Sequence, residues 1–181
     1  YNLKNKDKET KFDFSLAQII NEKENKKMSS SSSLDEKMSD VVGFATFNRK
    51  KFSLNYNFAL DQNYSDLNYN EFGMNIDFGL LNFDFNYLNE NKHIGDQDYF
   101  RTKINLESEN KGLFSFETKR NLITDSAEFY NLSYEYINDC LRAGLVYRRE
   151  FYNDSELEPE NSLMFKITLS SFGRVESTFN Q

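Results

Sequence analysis

The chain has 181 residues, enough for one folded domain with a hydrophobic core. Its formal net charge of -7 argues against a nucleic-acid partner, because the one basic triplet, residues 49–51, is too short to offset that charge. No apolar run approaches the roughly 20 residues that a transmembrane helix needs. The chain begins with Tyr rather than Met, so we expect either a removed signal peptide or a fragment of a longer protein.

Apolar residues recur at every second position from the N-terminal region onward, which is typical of β-strands with one apolar face. A hydrophobic fraction of only 38% with 16% aromatic residues agrees with this alternation. The Lys, Glu and Ser run over residues 21–40 predicts a solvated loop, and the phase of the strand that follows, residues 41–48, is ambiguous. The strands on either side are marked by their alternating apolar residues: Phe12, Phe14, Leu16 and Ile20 before the loop, and Phe52, Leu54, Tyr56, Phe58 and Leu60 after it.

The stretch "FGMNIDFGLLNFDFNYL", residues 72–88, predicts a β-hairpin together with its register. A two-residue loop at Gly79 and Leu80 would place each apolar residue opposite another and leave Asn and Asp side chains on the other face. Gly79 suits the positive φ that the first position of a type II′ turn requires. The predicted pairs are Phe78 with Leu81, Ile76 with Phe83, Met74 with Phe85, and Phe72 with Tyr87.

The stretch "YINDCLRAGLVYRRE", residues 136–150, predicts a second hairpin with a loop at Asn138 and Asp139. Between the two hairpins, strands near residues 100–106 and 114–118 are joined through "ENK", and residues 163–169 make the last strand. The predicted pairs of the second hairpin are Tyr136 with Leu141, Tyr134 with Ala143, Leu132 with Leu145, and Tyr130 with Tyr147.

The predicted connections alternate between long loops and tight turns. The long ones cover residues 21–40, 61–66, 89–98, 121–127 and 152–161. An outer-membrane β-barrel has this asymmetry, with long external loops at one rim, short periplasmic turns at the other, and strands of about 9 to 11 residues. We therefore predict an all-β fold of about ten antiparallel up-and-down strands that form part of a large outer-membrane β-barrel.

The predicted apolar face continues through nearly all strands and carries aromatic residues near the strand ends, as bilayer-facing strands do. Two charged residues share its parity, Arg120 and Arg149, and both lie at predicted external ends. A charge costs roughly 2 to 4 kcal/mol at mid-depth but about 0 to 1 kcal/mol there. The two arginines are either solvated rim residues or contacts to lipid phosphates. The opposite face is polar: Asn55, Asn57, Asp77, Asp84, Lys103, Glu117, Lys119, Glu135, Arg142, Arg148 and Lys166.

Cys140, the only cysteine, follows the predicted turn of the second hairpin at the predicted periplasmic rim. A lone cysteine is commonly a small buried hydrophobe. On a polar rim in an oxidising compartment it could instead form a disulfide with a cysteine outside this chain. Both interpretations are open at this point.

The stretches "YINDCLRAGLVYRREF" and "LMFKITLSSFG", with the acidic loop between them, resemble the C-terminal end of the lipopolysaccharide-assembly outer-membrane protein family, LptD, also called organic solvent tolerance protein. The resemblance covers residues 130–173: a Tyr and a Cys at the final periplasmic turn, a strand ending in "YRRE", and a closing strand with a Gly exit. The family often has two adjacent cysteines at this turn, whereas Asp139 takes the first place here. Cys140 alone would then be the candidate interdomain disulfide.

The resemblance implies that residues 1–173 are the C-terminal portion of a transmembrane β-barrel and that residues 174–181 are a periplasmic tail. It implies transport and insertion of lipopolysaccharide into the outer leaflet of a Gram-negative outer membrane through a lateral gate. The implied partners are lipopolysaccharide, an LptE-type plug lipoprotein, and a periplasmic lipopolysaccharide bridge that acts through an N-terminal domain outside this chain. One lip of the gate would be the last strand, residues 163–172, with Leu163, Phe165, Ile167 and Leu169.

Two alternative functions share the same alternation. A porin-like passive channel usually ends at its last strand, whereas "GRVESTFNQ" follows here. A soluble lipid-binding β-barrel is the other alternative, which long loops on one side only fit poorly. We do not expect an enzyme, because no GxSxG, HExxH or CxxC motif occurs and the only histidine, His93, lies in a polar loop near Asp96. No cofactor or metal site is predicted.

Overall fold

Residues 2–4, 10–93, 95–108, 112–138, 141–151 and 160–169 are described by the structure, a computed structural model of the chain. They form one antiparallel sheet of eleven strands, in which neighbours in the sequence are neighbours in the sheet. In these ranges the one helical segment is the short 3-10 turn Ser30–Ser32. The strands are β1 (Asn2–Lys4), β2 (Thr10–Ala17), β3 (Val41–Arg49), β4 (Phe52–Leu60), β5 (Leu67–Asp77), β6 (Leu81–Glu90), β7 (Gln97–Ser108), β8 (Gly112–Asn121), β9 (Ser126–Ile137), β10 (Leu141–Glu150) and β11 (Glu160–Leu169).

The sheet is an up-and-down meander with β1 at one edge and β11 at the other. The described strands therefore form an open sheet and do not close into a barrel. The predicted all-β class with antiparallel up-and-down strands is confirmed, whereas the barrel stays a prediction. The described residues contain no helix that is long and apolar enough to cross a membrane.

The hairpin of β5 and β6 has the predicted register. Phe78 N–H donates to the Leu81 carbonyl over 2.8 Å, which closes the loop at Gly79 and Leu80. Gly79 has a φ of 88°, as the predicted turn requires. The other predicted pairs are all present: Ile76 with Phe83, Met74 with Phe85, and Phe72 with Tyr87.

The predicted register of the β9–β10 hairpin is wrong by two residues. Tyr136 pairs with Ala143 rather than with Leu141, and the following pairs are displaced in the same way. Asn138 N–H donates to the Leu141 carbonyl, so Asn138 closes the hairpin instead of lying in its two-residue loop. A slip of two residues leaves each side chain on its original face, so alternation alone cannot distinguish these two registers.

The N-terminal region differs from the prediction in three respects. β1 is an additional strand beside β2. β2 ends at Ala17, and Ile20 forms an isolated bridge with Met38 instead of extending the strand. The prediction of a solvated loop over residues 21–40 is wrong at three positions, because Ser33, Ser39 and Asp40 are buried.

The ambiguous phase of β3 is decided by its neighbours. Gly43 lies opposite Leu16 of β2 and opposite Phe58 of β4. A Cβ atom at this position would lie 2.5 Å from Phe58 Cζ and 2.7 Å from Leu16 Cδ2, so the ends of these two side chains cover Gly43 on the apolar face. Gly43 therefore belongs to the apolar face, and Val42 and Phe44 belong to the opposite face.

From β2 onward, long and short connections alternate as predicted. Residues 18–40, 61–66, 91–96, 122–125 and 151–159 connect strands at one end of the sheet, which we call the long-loop rim. The connections at the other end, the short-turn rim, are residues 5–9 between β1 and β2, and then residues 50–51, 78–80, 109–111 and 138–140. The predicted closing strand corresponds to β11, and its residues 170–172 lie outside the described ranges.

Candidate functional site

The apolar face is continuous across most of the sheet. One row of directly paired residues crosses eight strands without a polar side chain: Phe52, Ile76, Phe83, Ile104, Phe116, Leu132, Tyr147 and Leu163. Aromatic rings stack along neighbouring rows, such as Phe85 on Phe100 with centroids 6.3 Å apart. The row begins on β4 and ends on β11, so the face reaches the edge of the sheet.

This face has no covering layer among the described residues. Leu145 is 46% exposed and Leu163 is 70% exposed. Only Ala59 and Leu88 are buried apolar residues within the described ranges, and neither lies in that row. Burying a large apolar side chain stabilises a fold by about 1.5 to 3 kcal/mol. An uncovered apolar face of this extent therefore lacks much of the hydrophobic free energy that stabilises a sheet. Exposed apolar surfaces larger than a few hundred Å² mark contacts with proteins or membranes.

The opposite face is polar, and the predicted polar residues lie on it. Arg101 Nε donates to Glu117 Oε1 over 2.6 Å, and Lys119 lies 2.7 Å from Glu128. Two cavities of about 370 and 400 Å³ open on this face, the first spanning strands from Asp77 to Glu135. A cavity lined by one face of five successive strands requires that face to be concave. The sheet therefore curves with its polar side inward.

β11 is the C-terminal edge of the sheet. Its four predicted gate residues, Leu163, Phe165, Ile167 and Leu169, pair with the apolar face of β10 and are all exposed. β10 is the one strand neighbour that β11 has in the described part of the chain. An edge strand presents backbone groups that a further strand could pair with.

Arg120 and Arg149 both lie on the apolar parity at the long-loop rim. Arg120 Nη2 lies 2.6 Å from Asp125 Oδ1, so the guanidinium is paired with a carboxylate of the following loop. Arg149 lies opposite Tyr130, with its guanidinium 5.0 Å from the centre of the Phe151 ring. The structure thus places the two arginines on either side of β9, on one face.

Sequence reasoning missed two further charges on the apolar parity, Arg49 at the end of β3 and Asp98 at the start of β7. Both lie within two residues of a strand end, as Arg120 and Arg149 do. Following the alternation of faces to the first and last residue of each strand identifies both charged residues. The candidate disulfide residue Cys140 lies outside the described residues, and so does the neighbouring Asp139.

A loop clamp joins two of the connections at the long-loop rim, and we define it as Asp40, Asn68, Lys92 and His93. The Asp40 carboxylate is 4% exposed and accepts from Asn68 Nδ2 over 2.9 Å and from Lys92 Nζ over 3.1 Å. His93 Nε2 lies 3.6 Å from the same carboxylate, and His93 Nδ1 lies 2.6 Å from the Ser31 carbonyl oxygen. The clamp therefore fixes the end of the first long loop against the hairpin loop of β6 and β7.

The electrostatics of the clamp favour a charged Asp40. Burial by itself would raise the pKa of Asp40, but hydrogen bonds from Asn68 and Lys92, together with the charge of the lysine, outweigh it. The pKa of Asp40 therefore lies below its ordinary value of 3.8. Glu90 is fully buried beside the clamp, and its carboxylate accepts from the backbone N–H groups of Lys92 and Gly95 over 2.8 and 3.1 Å. Both loops are thus held by buried carboxylates.

No sequence signal indicated the clamp, because Asp40 and Lys92 are separated by 52 positions and lie in polar segments. In the sequence, the nearby acidic residue that suggests a partner for His93 is Asp96, whereas in the structure His93 lies beside Asp40. Across the described ranges there is no group of three or more side chains that could hold a metal ion.

Comparison with known proteins identifies no relative: no family model matches the chain, and no curated protein matches it significantly. The resemblance of residues 130–173 to the lipopolysaccharide-assembly family therefore stays a prediction.

Proposed function

We propose that the sheet is embedded in an outer membrane of a Gram-negative bacterium as part of a β-barrel. The apolar face would contact hydrocarbon, and the concave polar face would line an aqueous interior. The observation that carries this proposal is the uncovered apolar row from β4 to β11. Charges near mid-depth lie on the polar face, whereas those on the apolar parity lie near strand ends, where contact with the interface costs little.

Site-specific photo-crosslinking in the intact protein tests the membrane assignment. The probe p-benzoylphenylalanine replaces Ile104 on the apolar face or Lys103 on the polar face of the same strand, β7. We expect position 104 to crosslink to membrane lipid and position 103 to give at least tenfold less lipid adduct. Equal labelling at the two positions, or a protein adduct at 104 in place of lipid, would contradict a lipid-facing surface.

We further propose that the protein takes part in transport of lipopolysaccharide and its insertion into the outer leaflet, with β11 as one lip of a lateral gate. The exposed edge and its residues Leu163, Phe165, Ile167 and Leu169 support this role, as does the resemblance of the C-terminal sequence. An edge in hydrocarbon must be paired or covered, so a seam at β11 would alternate between paired and open states. An LptE-type lipoprotein and a periplasmic lipopolysaccharide bridge are the proposed protein partners.

The same crosslinking chemistry separates a gate from an ordinary lipid-facing surface. The probe replaces Ile167 on β11 or Ile104 on β7, two isoleucines on the same face of the sheet. If lipopolysaccharide passes the seam, adducts with lipopolysaccharide at position 167 should exceed those at 104 several-fold during active transport. Equal amounts at both positions would show boundary lipid and would exclude β11 as a gate.

A porin-like passive channel is the second candidate, and the concave face with its ion pairs favours it. Such a channel would let small solutes equilibrate across vesicles that contain the intact protein, at a rate that falls with solute size. Vesicle swelling in sugars of increasing size measures this rate. A third candidate, a soluble lipid-binding β-barrel, would remain in the aqueous phase when the protein is partitioned into detergent.

A further inference from the structure

The polar face contains an apolar cavity near the long-loop rim. Ala17, Val42, Ala59 and Tyr69 are successive partners across β2, β3, β4 and β5, and Phe44 lies beside Val42. Two small alanines flank the valine, so a space of about 580 Å³ is left above it. Polar side chains predominate on the rest of this face, although Leu113, Phe129 and Val146 also lie on it, so a cluster of apolar residues across four strands is a local feature.

A second cavity of about 190 Å³ extends the first one beneath the loop of residues 18–40. The two cavities share Ala17, Val42 and His93 as lining residues. Ile19 and Leu34 from the loop add apolar surface to the second cavity. Because the two cavities share three lining residues they adjoin, and the smaller one lies under the loop.

The loop clamp keeps this space formed. Asp40 lines the inner cavity and is held by Asn68 and Lys92, while His93 lines both cavities and contacts the Ser31 carbonyl. The roof is therefore anchored by buried polar contacts and does not depend on a ligand. A preformed cavity of 300 to 1,000 Å³ with apolar walls and few polar groups is typical of small-molecule sites.

We propose that this cavity binds the alkyl chain of a single-chain amphiphile of the fatty-acid class, with the polar head at its open end. A protein partner would need about 800 Å² and roughly 20 to 30 residues of contact on its side, more than the ten residues that line the larger cavity provide. Two adjoining apolar cavities suit a linear chain, which can extend from one into the other, better than a compact ring system. The site lies on the polar face, so it does not depend on whether the opposite face contacts lipid.

Photolabelling of the intact protein with a diazirine-bearing fatty acid tests the site, with adducts assigned by residue using mass spectrometry. Labelling is expected at Val42 and Phe44 rather than at Ala45 and Phe47, which lie on the other face of β3 and do not line the cavity. An excess of unlabelled dodecanoate should reduce it at least fivefold. Labelling at positions 45 and 47 alone, or no competition by dodecanoate, would overturn the proposal.

Two cavity variants and one control complete the experiment. Ala17→Phe fills the space without adding polarity, and Val42→Asn makes its floor polar, so both should lower labelling at Phe44 at least fivefold. Val146→Asn makes the same change on the polar face of β10, away from the cavity, and should leave labelling unchanged. Unchanged labelling in the two correctly folded cavity variants would overturn the proposal, and so would an equal loss in Val146→Asn. Lipid adducts at position 104 report on the membrane assignment separately.

Discussion

Replacing Met74 with Arg is the most direct perturbation of the proposed lipid-facing surface. Met74 lies in the interior of β5 on the apolar face, directly between Leu54 and Phe85. Both side chains are unbranched near the backbone, so the main change is the longer, charged guanidinium end of Arg. The neighbouring Asn75 lies on the polar face opposite Asp84, and Asn75→Arg is therefore the matched control.

The expected loss of folding free energy depends on the depth of the substituted residue in the bilayer. Arg near the bilayer midplane costs about 2 to 4 kcal/mol, and about 1.4 kcal/mol is a tenfold change in an equilibrium constant. Met74→Arg should therefore lower the folding equilibrium constant roughly 30- to 700-fold, whereas Asn75→Arg gains a carboxylate neighbour and should change it less than threefold. Leu106→Arg, on the same face near the short-turn rim, should cost about 0 to 1 kcal/mol.

Urea titration of the intact protein folded in lipid vesicles measures these free energies of unfolding. The depth dependence is the decisive comparison, because a soluble core would penalise a buried charge at Leu106 as well as at Met74. Equal destabilisation at positions 74 and 106 would refute the membrane argument. Equal destabilisation at 74 and 75 would refute the assignment of faces itself.

Three further outcomes are expected. Because the pKa of Asp40 is lowered in the fold, the clamp should hold at a pH above the ordinary value of 3.8 and weaken as the pH falls through the lowered pKa. Hydrogen exchange over residues 18–40 would show this step, and Asp40→Asn should abolish it. Gly79→Ala should lower the free energy of unfolding in urea titration by about 1 to 2 kcal/mol, because alanine is strained at a φ of 88°. The added Cβ would meet no neighbouring atom, so no steric clash adds to this cost. Leu80→Ala should leave the free energy of unfolding nearly unchanged. Arg149→Gln should weaken binding of spin-labelled anionic lipid about fivefold, since one cation near a surface contributes about 1 kcal/mol; a loss of equal size in Arg142→Gln on the polar face would contradict a rim contact.

The two hairpins show which part of the register a sequence can encode. In β5 and β6, a slip of one residue would set Ile76 and Phe83 among Asn and Asp side chains, so the pattern excludes it. In β9 and β10, the slip was of two residues, which keeps Tyr136 and Ala143 on the apolar face. Side-chain alternation has a period of two. It therefore excludes register shifts by an odd number of residues but does not distinguish registers that differ by an even number.

The phase of β3 needed its neighbours for a related reason. Apolar residues occur on both parities, at Val41 and Phe47 as well as at Val42 and Phe44, so local pattern supports either phase. Strand pairing decides it, because Gly43 lies opposite Leu16 and Phe58, two residues of the apolar face. The second parity then leaves Val42 and Phe44 on the polar face, where they floor the cavity.

The sequence by itself determined the strand order, the alternation of long and short connections, and the two chemically different faces, because each depends on neighbours that are close in the chain. Only the tertiary structure decided the open edges, the concave side and the loop clamp. Asp40 and Lys92 meet because the meander brings their loops to one rim, and no local pattern records that meeting. Contacts of this kind depend on the combined geometry of the four strands between the two residues, and they hold a polar loop in place over an apolar site.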